Sequence, residues 1–357
     1  MKPKKLKVFH GLVNYGTQAG LLSAGLRQHG IEAMSVVQYD LFKRKSDIEL
    51  KPITKWWQKY YIYPYNYIKK IYWFYKYNTF HFYFGSTLIK KQLDLPLYKL
   101  FGKKVLMEYL GNDIRHYKTL VERYSLPNDH DFSKRMYEHD NKVRNRIQWE
   151  SKYIDYLISC LPNHIDLAKE YGVEVKEVLP LALDIKSIIY QPLTKKEKGD
   201  KIAILHAPTN RDFKGTIYIQ QAIEELNKAG YNIEFHLIEG VTHIELFKEY
   251  QKCDIFIDQI SIGWYGTAAL EAMAVGRPTC AFIDERYFQY IDYAEEIPVV
   301  NITKENVSNK LIKLIESCEE LPALGRRSRQ FVEKYHDVEY VSRKLMNIYQ
   351  EKVWGVK

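Results

Sequence analysis

Twice along these 357 residues, short apolar runs alternate with amphipathic segments, and a charged stretch without apolar periodicity, QPLTKKEKGDK, separates the two cycles. Strands that alternate with helices cannot pair as hairpins. Each return to the same sheet needs a crossover, and the sheet that results is parallel. The first cycle opens with KLKVFHGLV, turns at NYGTQAG, continues through the helical pattern LLSAGLRQHG and reaches a second strand at IEAMSVV. Further strands are predicted at TFHFYF, KKVLMEYL, YIDYLISC and, shorter, VKEVLPLAL. The second cycle begins at IAILHAPT and alternates through IYIQQAIEELNKAG, NIEFHLIE, HIELFKEYQK and CDIFIDQI to a small-residue helix, then the strands PTCAFID and IPVVNI. The pattern predicts two α/β domains facing across a cleft. The first spans residues 1–190, a linker spans 191–200, the second spans 201–335, and a helix within 336–357 packs back toward the first. An apolar share of 46% gives each domain material for a core.

Cys160, Cys253, Cys280 and Cys318 are widely separated and lack the CxxC spacing of a metal or redox site, as expected of buried thiols in a reducing compartment. The opening residues are basic but show no signal-peptide core, and no apolar run is long enough to span a bilayer. The expected location is the cytoplasm, at the cytoplasmic face of the inner membrane. The net charge of +9 is unevenly placed: residues 51–93 contain no acid but include Lys51, Lys55, Lys59, Lys69, Lys70 and Lys76 among many tyrosines and tryptophans. Such rings can sit at headgroup depth while lysines meet lipid phosphates, so residues 51–93 are a candidate contact with an anionic membrane. The competing reading is an aromatic flap packed on its own domain. No nucleic-acid partner is expected, because no binding signature is present and Pro64 interrupts the segment.

Two loops carry the chemistry of the second domain. In DQISIGWYGTAALEAMAVGRPT, a strand runs through a glycine-punctuated turn into a helix that begins near Gly266 or Thr267. The glycines let the backbone approach a ligand, and the first N–H groups of the helix favour an anion such as a diphosphate. Glu271 lies about one turn inside, placed to accept hydrogen bonds from sugar or ribose hydroxyls. In HAPTNRDFKG, Arg211 and Lys214 follow the domain's first strand and can converge on the same diphosphate, Arg211 as a fork and Lys214 as a point charge. His206 either bonds a phosphate or orients the loop. In the first domain, Gly16 and Thr17 follow the first strand and can approach a donor phosphate or the transferred sugar. Asp113 in EYLGNDIRHY either takes the proton of an acceptor hydroxyl or bonds a nearby backbone N–H. His236 and His243 form no ligand set with spaced carboxylates, and HExxH, zinc-ribbon, GxSxG and P-loop motifs are absent. No metal site and no cofactor are expected.

With these loops in hand, the chain resembles the retaining GT-B glycosyltransferases of glycosyltransferase family 4, particularly bacterial enzymes of surface-polysaccharide synthesis, from HGLVNYGTQAG to the helix near its end. The resemblance implies GT-B architecture: two Rossmann-like domains facing across a deep cleft, with the acceptor on the first and a nucleoside-diphosphate sugar on the second. By it, Arg211 and Lys214 of NRDFKG hold the diphosphate and Glu271 of LEAMAVGRP holds the ribose hydroxyls. It implies transfer of a sugar, with retained configuration, to a hydroxyl of a glycan or lipid-linked acceptor. Two motifs depart from the family. Gly263 stands where the first glutamate of E-x7-E is usual, and Leu110 stands where HGxD has histidine. The incomplete acidic pair leaves a second reading, a catalytically degenerate nucleotide-sugar sensor or interaction protein.

Overall fold

The computed structural model describes residues 5–38, 45–126 and 130–355; the first four residues of the basic opening lie outside them. The strands are β1 (Lys7–Leu12), β2 (Glu32–Val37), β3 (Ile48–Glu49), β4 (Thr79–Tyr83), β5 (Lys104–Tyr109), β6 (Tyr156–Ser159), β7 (Glu177–Val178), β8 (Ile202–His206), β9 (Ile233–Leu237), β10 (Ile255–Ile257), β11 (Thr279–Ala281) and β12 (Val300–Asn301). The helices are α1 (Gln18–Gln28), α2 (Lys59–Lys76), α3 (Leu95–Leu100), α4 (Tyr117–Tyr124), α5 (His130–Glu150), α6 (Asn163–Lys169), the single turn α7 (Arg211–Lys214), α8 (Thr216–Lys228), α9 (His243–Lys252), α10 (Thr267–Val275), α11 (Val307–Glu316), α12 (Leu321–Tyr335) and α13 (Val338–Asn347).

Two compact units are formed. The described residues of Met1–Tyr117, Lys134–Ala182 and Val338–Lys357 make the first, and those of Lys118–Ser133 and Leu183–Asp337 make the second. The first holds a seven-stranded sheet in the order β3-β2-β1-β4-β5-β6-β7, the second a five-stranded sheet in the order β12-β11-β10-β8-β9. All pairings are parallel, as the alternation of strand and helix requires.

Strand order reverses once in each sheet, between β1 and β4 in the first and between β8 and β10 in the second. At such a switch point the following loops diverge to opposite faces and leave a crevice at the carboxyl ends of the strands, where ligands bind in open α/β sheets. The second unit's core packs Ile204, Ile219, Ile223, Ile255, Ile257 and Leu311 between sheet and helices, so the strand ends that carry the loops are rigidly held.

Helix α2 was not read from the sequence. Its inner face buries Ile62 and Trp73, and Trp73 packs on Phe9 of β1 with ring centroids 5.6 Å apart. Pro64 lies inside the helix and does not break it. It withholds one N–H from the carbonyl of Tyr60, on a face exposed enough for water to take its place. The strands expected at VKEVLPLAL and IPVVNI shrink to the two-residue edges β7 and β12, and β3 was not anticipated.

Residues 118–126, which precede the linker in sequence, pack with the second unit. Tyr124 explains the attachment: its hydroxyl donates to Asp284 Oδ2 at 2.8 Å and lies 2.7 Å from the Tyr287 hydroxyl, while Lys304 Nζ donates to the Tyr124 carbonyl at 3.2 Å.

Candidate functional site

The switch point of the second unit gathers most of the candidate residues. Strand β8 ends at His206, and Asn210 caps the turn α7 by accepting from the Phe213 N–H at 3.0 Å. Gly215 then reverses the chain at φ +70° into α8. From the neighbouring strand, β10 delivers Asp258 and Gln259. The two loops are tied together at Lys214: its carbonyl accepts from the Ile260 N–H at 3.2 Å, and its ammonium forms an ion pair with Asp258 Oδ1. That pair is almost withdrawn from water, with 14% of the lysine side chain and 1% of the aspartate side chain exposed.

Asp258 uses its other oxygen to accept from the Gly266 N–H at 2.8 Å. The first backbone donor of the α10 terminus is therefore already engaged, and the expected anion contact falls to Thr267 and the residues after it, where no side-chain cap is present. Gly266 serves instead by having no side chain. A Cβ there would lie 3.6 Å from Asp258 Oδ2 and 4.0 Å from Lys214 Nζ, so glycine keeps the space beside the lysine open. Arg211 is exposed at the start of α7 and forks onto Glu239, which follows β9; its Nε lies 2.9 Å from Glu239 Oε1. An exposed pair of this kind contributes little to stability, which leaves the guanidinium available to a stronger anion.

Glu271 faces α9. Its Oε1 is 2.8 Å from His243 Nε2, and the Tyr250 hydroxyl lies 3.5 Å from Oε2. Only 10% of the glutamate side chain is exposed. Sequence reasoning weighed His243 only as a metal ligand; its place, across 28 residues of chain, is beside the carboxylate expected to hold a ribose.

Gln259 escaped the sequence reading. Fully buried, it donates from Nε2 to the carbonyls of Trp264 and Phe282 and accepts at Oε1 from the N–H groups of Ser261 and Ile262, both at 2.7 Å. One amide thus fixes the entry to the GWYG turn and its Trp264. The only available signal was an uncharged polar residue after a buried strand.

Of the two readings of His206, its partners favour the one in which it orients the loop over the phosphate contact. It is wholly buried, with Nδ1 2.9 Å from the Ile257 carbonyl and Nε2 2.9 Å from the Thr216 hydroxyl. Burial pushes its pKa down to about 4, so the neutral ring donates from Nδ1 and accepts from Thr216 at Nε2. Both nitrogens are consumed in joining β8 to β10 and to the start of α8, and neither is left for a phosphate.

In the first unit, Gly16 and Thr17 sit in the loop after β1, beside the switch point, with φ of +53° and +65°. A β-branched residue in the left-handed region is uncommon, and such strain concentrates at ligand loops. Asp113 follows the second of its two readings. Its carboxylate accepts from the Leu110 N–H at 3.1 Å and the Gly111 N–H at 2.7 Å, bracing its own turn. Burial raises its pKa to about 6, against the opposing pull of Arg146 and these donors. A carboxylate so engaged is better placed to shape the GND loop than to take a proton from a substrate. Among the described residues, no cluster of His, Cys, Asp and Glu is arranged to hold a metal ion.

The position at which the family the sequence resembles carries its first glutamate is filled here from elsewhere in the same unit. Gly263 has φ +74°, and a Cβ there would fall 2.6 Å from the Tyr124 hydroxyl oxygen and 3.0 Å from Tyr124 Cζ. The phenol of α4 takes the room that a side chain at 263 would need.

No protein-family model matches the sequence, and no curated protein matches it. Solved structures do match in fold. Sucrose-phosphate synthase from Thermosynechococcus elongatus superposes with a TM-score of 0.63 at 14% identity, over 98% of this chain and 99% of that one. Anabaena HepE in complex with UDP-glucose gives 0.56 at 12% identity, over 95% and 98%. A putative UDP-N-acetylglucosamine 2-epimerase from Listeria monocytogenes gives 0.52 at 13% identity, over 97% and 96%. The two parallel sheets with their flanking helices are those of the α/β GT-B fold.

Proposed function

We propose that this protein is a retaining glycosyltransferase that moves a sugar from a nucleoside diphosphate to a hydroxyl of a glycan or lipid-linked acceptor in cell-surface polysaccharide synthesis. The observation that carries the reading is Lys214 beside the side-chain-free space at Gly266, at the switch point of the second sheet, with Arg211 on the same loop. In the reaction, the bond from the anomeric carbon to the diphosphate oxygen breaks and a bond from that carbon to the acceptor oxygen forms. The acceptor proton passes to the departing phosphate, on the same face of the sugar. Lys214, Arg211 and the open N–H groups from Thr267 onward offset the charge that grows on the diphosphate. Glu271 accepts hydrogen bonds from the ribose, in competition with His243. The fold neighbour crystallised with UDP-glucose supports a nucleotide sugar as donor.

Calorimetric titration with UDP-, GDP- and ADP-sugars tests the donor. One nucleotide family is expected to bind selectively, and Glu271→Gln should weaken it about tenfold, because a charged acceptor of hydroxyl hydrogen bonds contributes roughly 1.5–3 kcal/mol. Unchanged affinity would remove Glu271 from the ribose. Gly263, filled by Tyr124, favours the second reading of a nucleotide-sugar sensor; selective binding without turnover across an acceptor panel would establish it.

The reading includes contact with an anionic membrane at its cytoplasmic face through residues 51–93. Helix α2 exposes Trp56 just before it and Tyr60, Ile68, Tyr72 and Tyr75 along it, interleaved with lysines and without an acid. Among the described residues, no helix is long and apolar enough to cross a membrane, so any contact through α2 lies at the surface. Flotation with liposomes is expected to carry the protein upward with phosphatidylglycerol-containing vesicles and not with pure phosphatidylcholine at low salt. Equal behaviour with both would leave these rings without a lipid role.

A further inference from the structure

A cavity of about 750 Å³ opens in the first unit at the carboxyl ends of β2, β3 and β4, roofed by α2. The volume lies within the range of small-molecule sites, and the place is beside the switch point of this sheet. Four cations line it: Lys51 after β3, Lys70 on α2, and Lys90 and Lys91 on the loop after β4. Among the described residues none of the four forms an ion pair with a carboxylate. The acid nearest in charge to Lys70 is Asp94, which is buried, accepts from Thr87 and from Tyr98 at 2.8 Å, and has its pKa raised by burial. Among the described residues, the charge of the lining is therefore one-sided.

Lys70 shows the consequence. It is half-buried, donates to the Leu88 carbonyl, and its pKa is lowered first by burial and, against the opposing pull of Asp94, by Lys90. Like charges brought together without a counter-ion cost free energy that an anion would recover. The wall is also held in a strained form: Phe84, Lys91 and Gln92 all have φ between +56° and +59°. Gln92 is fixed there by donating to the Gly85 carbonyl at 2.7 Å and to the buried Glu150. Tyr63 and Tyr67 complete the lining with ring surface, so the cavity suits a group that is anionic at one end and apolar at the other.

We propose that this cavity binds a diphosphate group carried by the acceptor, with Lys51, Lys70, Lys90 and Lys91 as its counter-charges and the tyrosine rings against its organic portion. The inference rests on the glycosyltransferase reading for the word acceptor; the anion site itself does not depend on it. Two sources share the chemistry, a lipid diphosphate at a membrane and a soluble phosphorylated acceptor.

The test is calorimetric titration of the full chain with farnesyl diphosphate, inorganic pyrophosphate and farnesol. It is repeated on Lys70→Gln/Lys90→Gln, on Lys51→Gln/Lys91→Gln and on Lys214→Ala/Asp258→Asn, which removes the donor-site lysine without stranding a buried charge. Glutamine keeps a donor for the Leu88 carbonyl and so spares the local fold. Binding of a diphosphate, at least tenfold weaker in each pocket variant and within twofold of wild type in Lys214→Ala/Asp258→Asn, is the expected result. Farnesyl diphosphate much tighter than pyrophosphate identifies a lipid-borne ligand, and equal affinities identify a soluble one. Binding of neither diphosphate, retention in a pocket variant, binding of farnesol as tight as its diphosphate, or an equal loss in Lys214→Ala/Asp258→Asn overturns the site. Nucleotide-sugar titration of the same variants separates the two failures: a protein that binds the donor but no diphosphate loses only this inference, and one that binds diphosphate but no donor loses only the transferase reading.

Discussion

Lys214→Ala is expected to lower kcat/KM for sugar transfer about 10²–10³-fold, the loss that follows removal of one preorganised donor to a developing negative charge. The ammonium sits at the switch point, beside a space that Gly266 keeps open, with only 14% of its side chain exposed. The substitution also strands Asp258, whose side chain is 1% exposed and would retain only the Gly266 N–H. Breaking a buried pair by removing one partner costs about 3–5 kcal/mol, so part of any lost activity could be lost folding. Lys214→Ala/Asp258→Asn separates the effects, because the amide removes the stranded charge and still accepts from Gly266. The double variant should recover most of the melting temperature and none of the transfer. If a well-folded double variant transfers sugar within about threefold of wild type, Lys214 has no part in leaving-group departure. Arg211→Ala is the milder comparison, since its partner Glu239 remains solvated.

The same region shows what a sequence discloses and where it stops. The strand–helix alternation and the glycine stops are local signals, and the two sheets follow from them because parallel pairing leaves few alternatives. Arg211 and Lys214 were visible as polar residues after a predicted strand, and Glu271 as an acid one turn inside a predicted helix. Their partners were not: Lys214 meets Asp258 across 44 residues, and Glu271 meets His243 across 28. His206 stands where a phosphate ligand would be sought, yet only the positions of Ile257 and Thr216 reveal that both ring nitrogens are taken. Helix α2 was obscured for another reason. Its aromatic side chains face solvent as well as core, so apolar periodicity, the main sequence signal for a helix, is blurred.

Gly263→Glu, which would restore the acidic pair of the family the sequence resembles, is expected to destabilise the protein by roughly 2–5 kcal/mol. About 1–2 kcal/mol comes from forcing an L-residue into the left-handed region at φ +74°. About 1–3 kcal/mol more comes from overpacking, because the new Cβ would fall 2.6 Å from the Tyr124 hydroxyl oxygen. Tyr124 cannot easily move aside. Its hydroxyl is held by Asp284 and Tyr287, Arg123 donates to the same Tyr287 oxygen at 2.8 Å, and Arg286 closes the network on Asp284 at 2.8 Å. Gly263→Ala should share both costs without the added carboxylate. Tyr124→Phe/Gly263→Ala should recover part of the overpacking, since it deletes the closest atom, but none of the backbone strain. Thermal melts of the four proteins decide the matter: a Gly263→Glu variant that melts with wild type would mean the phenol yields readily, and a gain in transfer with it would mean the acid is merely missing. Loss of stability with partial rescue by Tyr124→Phe would mean that glycine and phenol are a matched pair. The transferred sugar would then lie against the Lys214–Asp258 pair rather than against an acid at position 263.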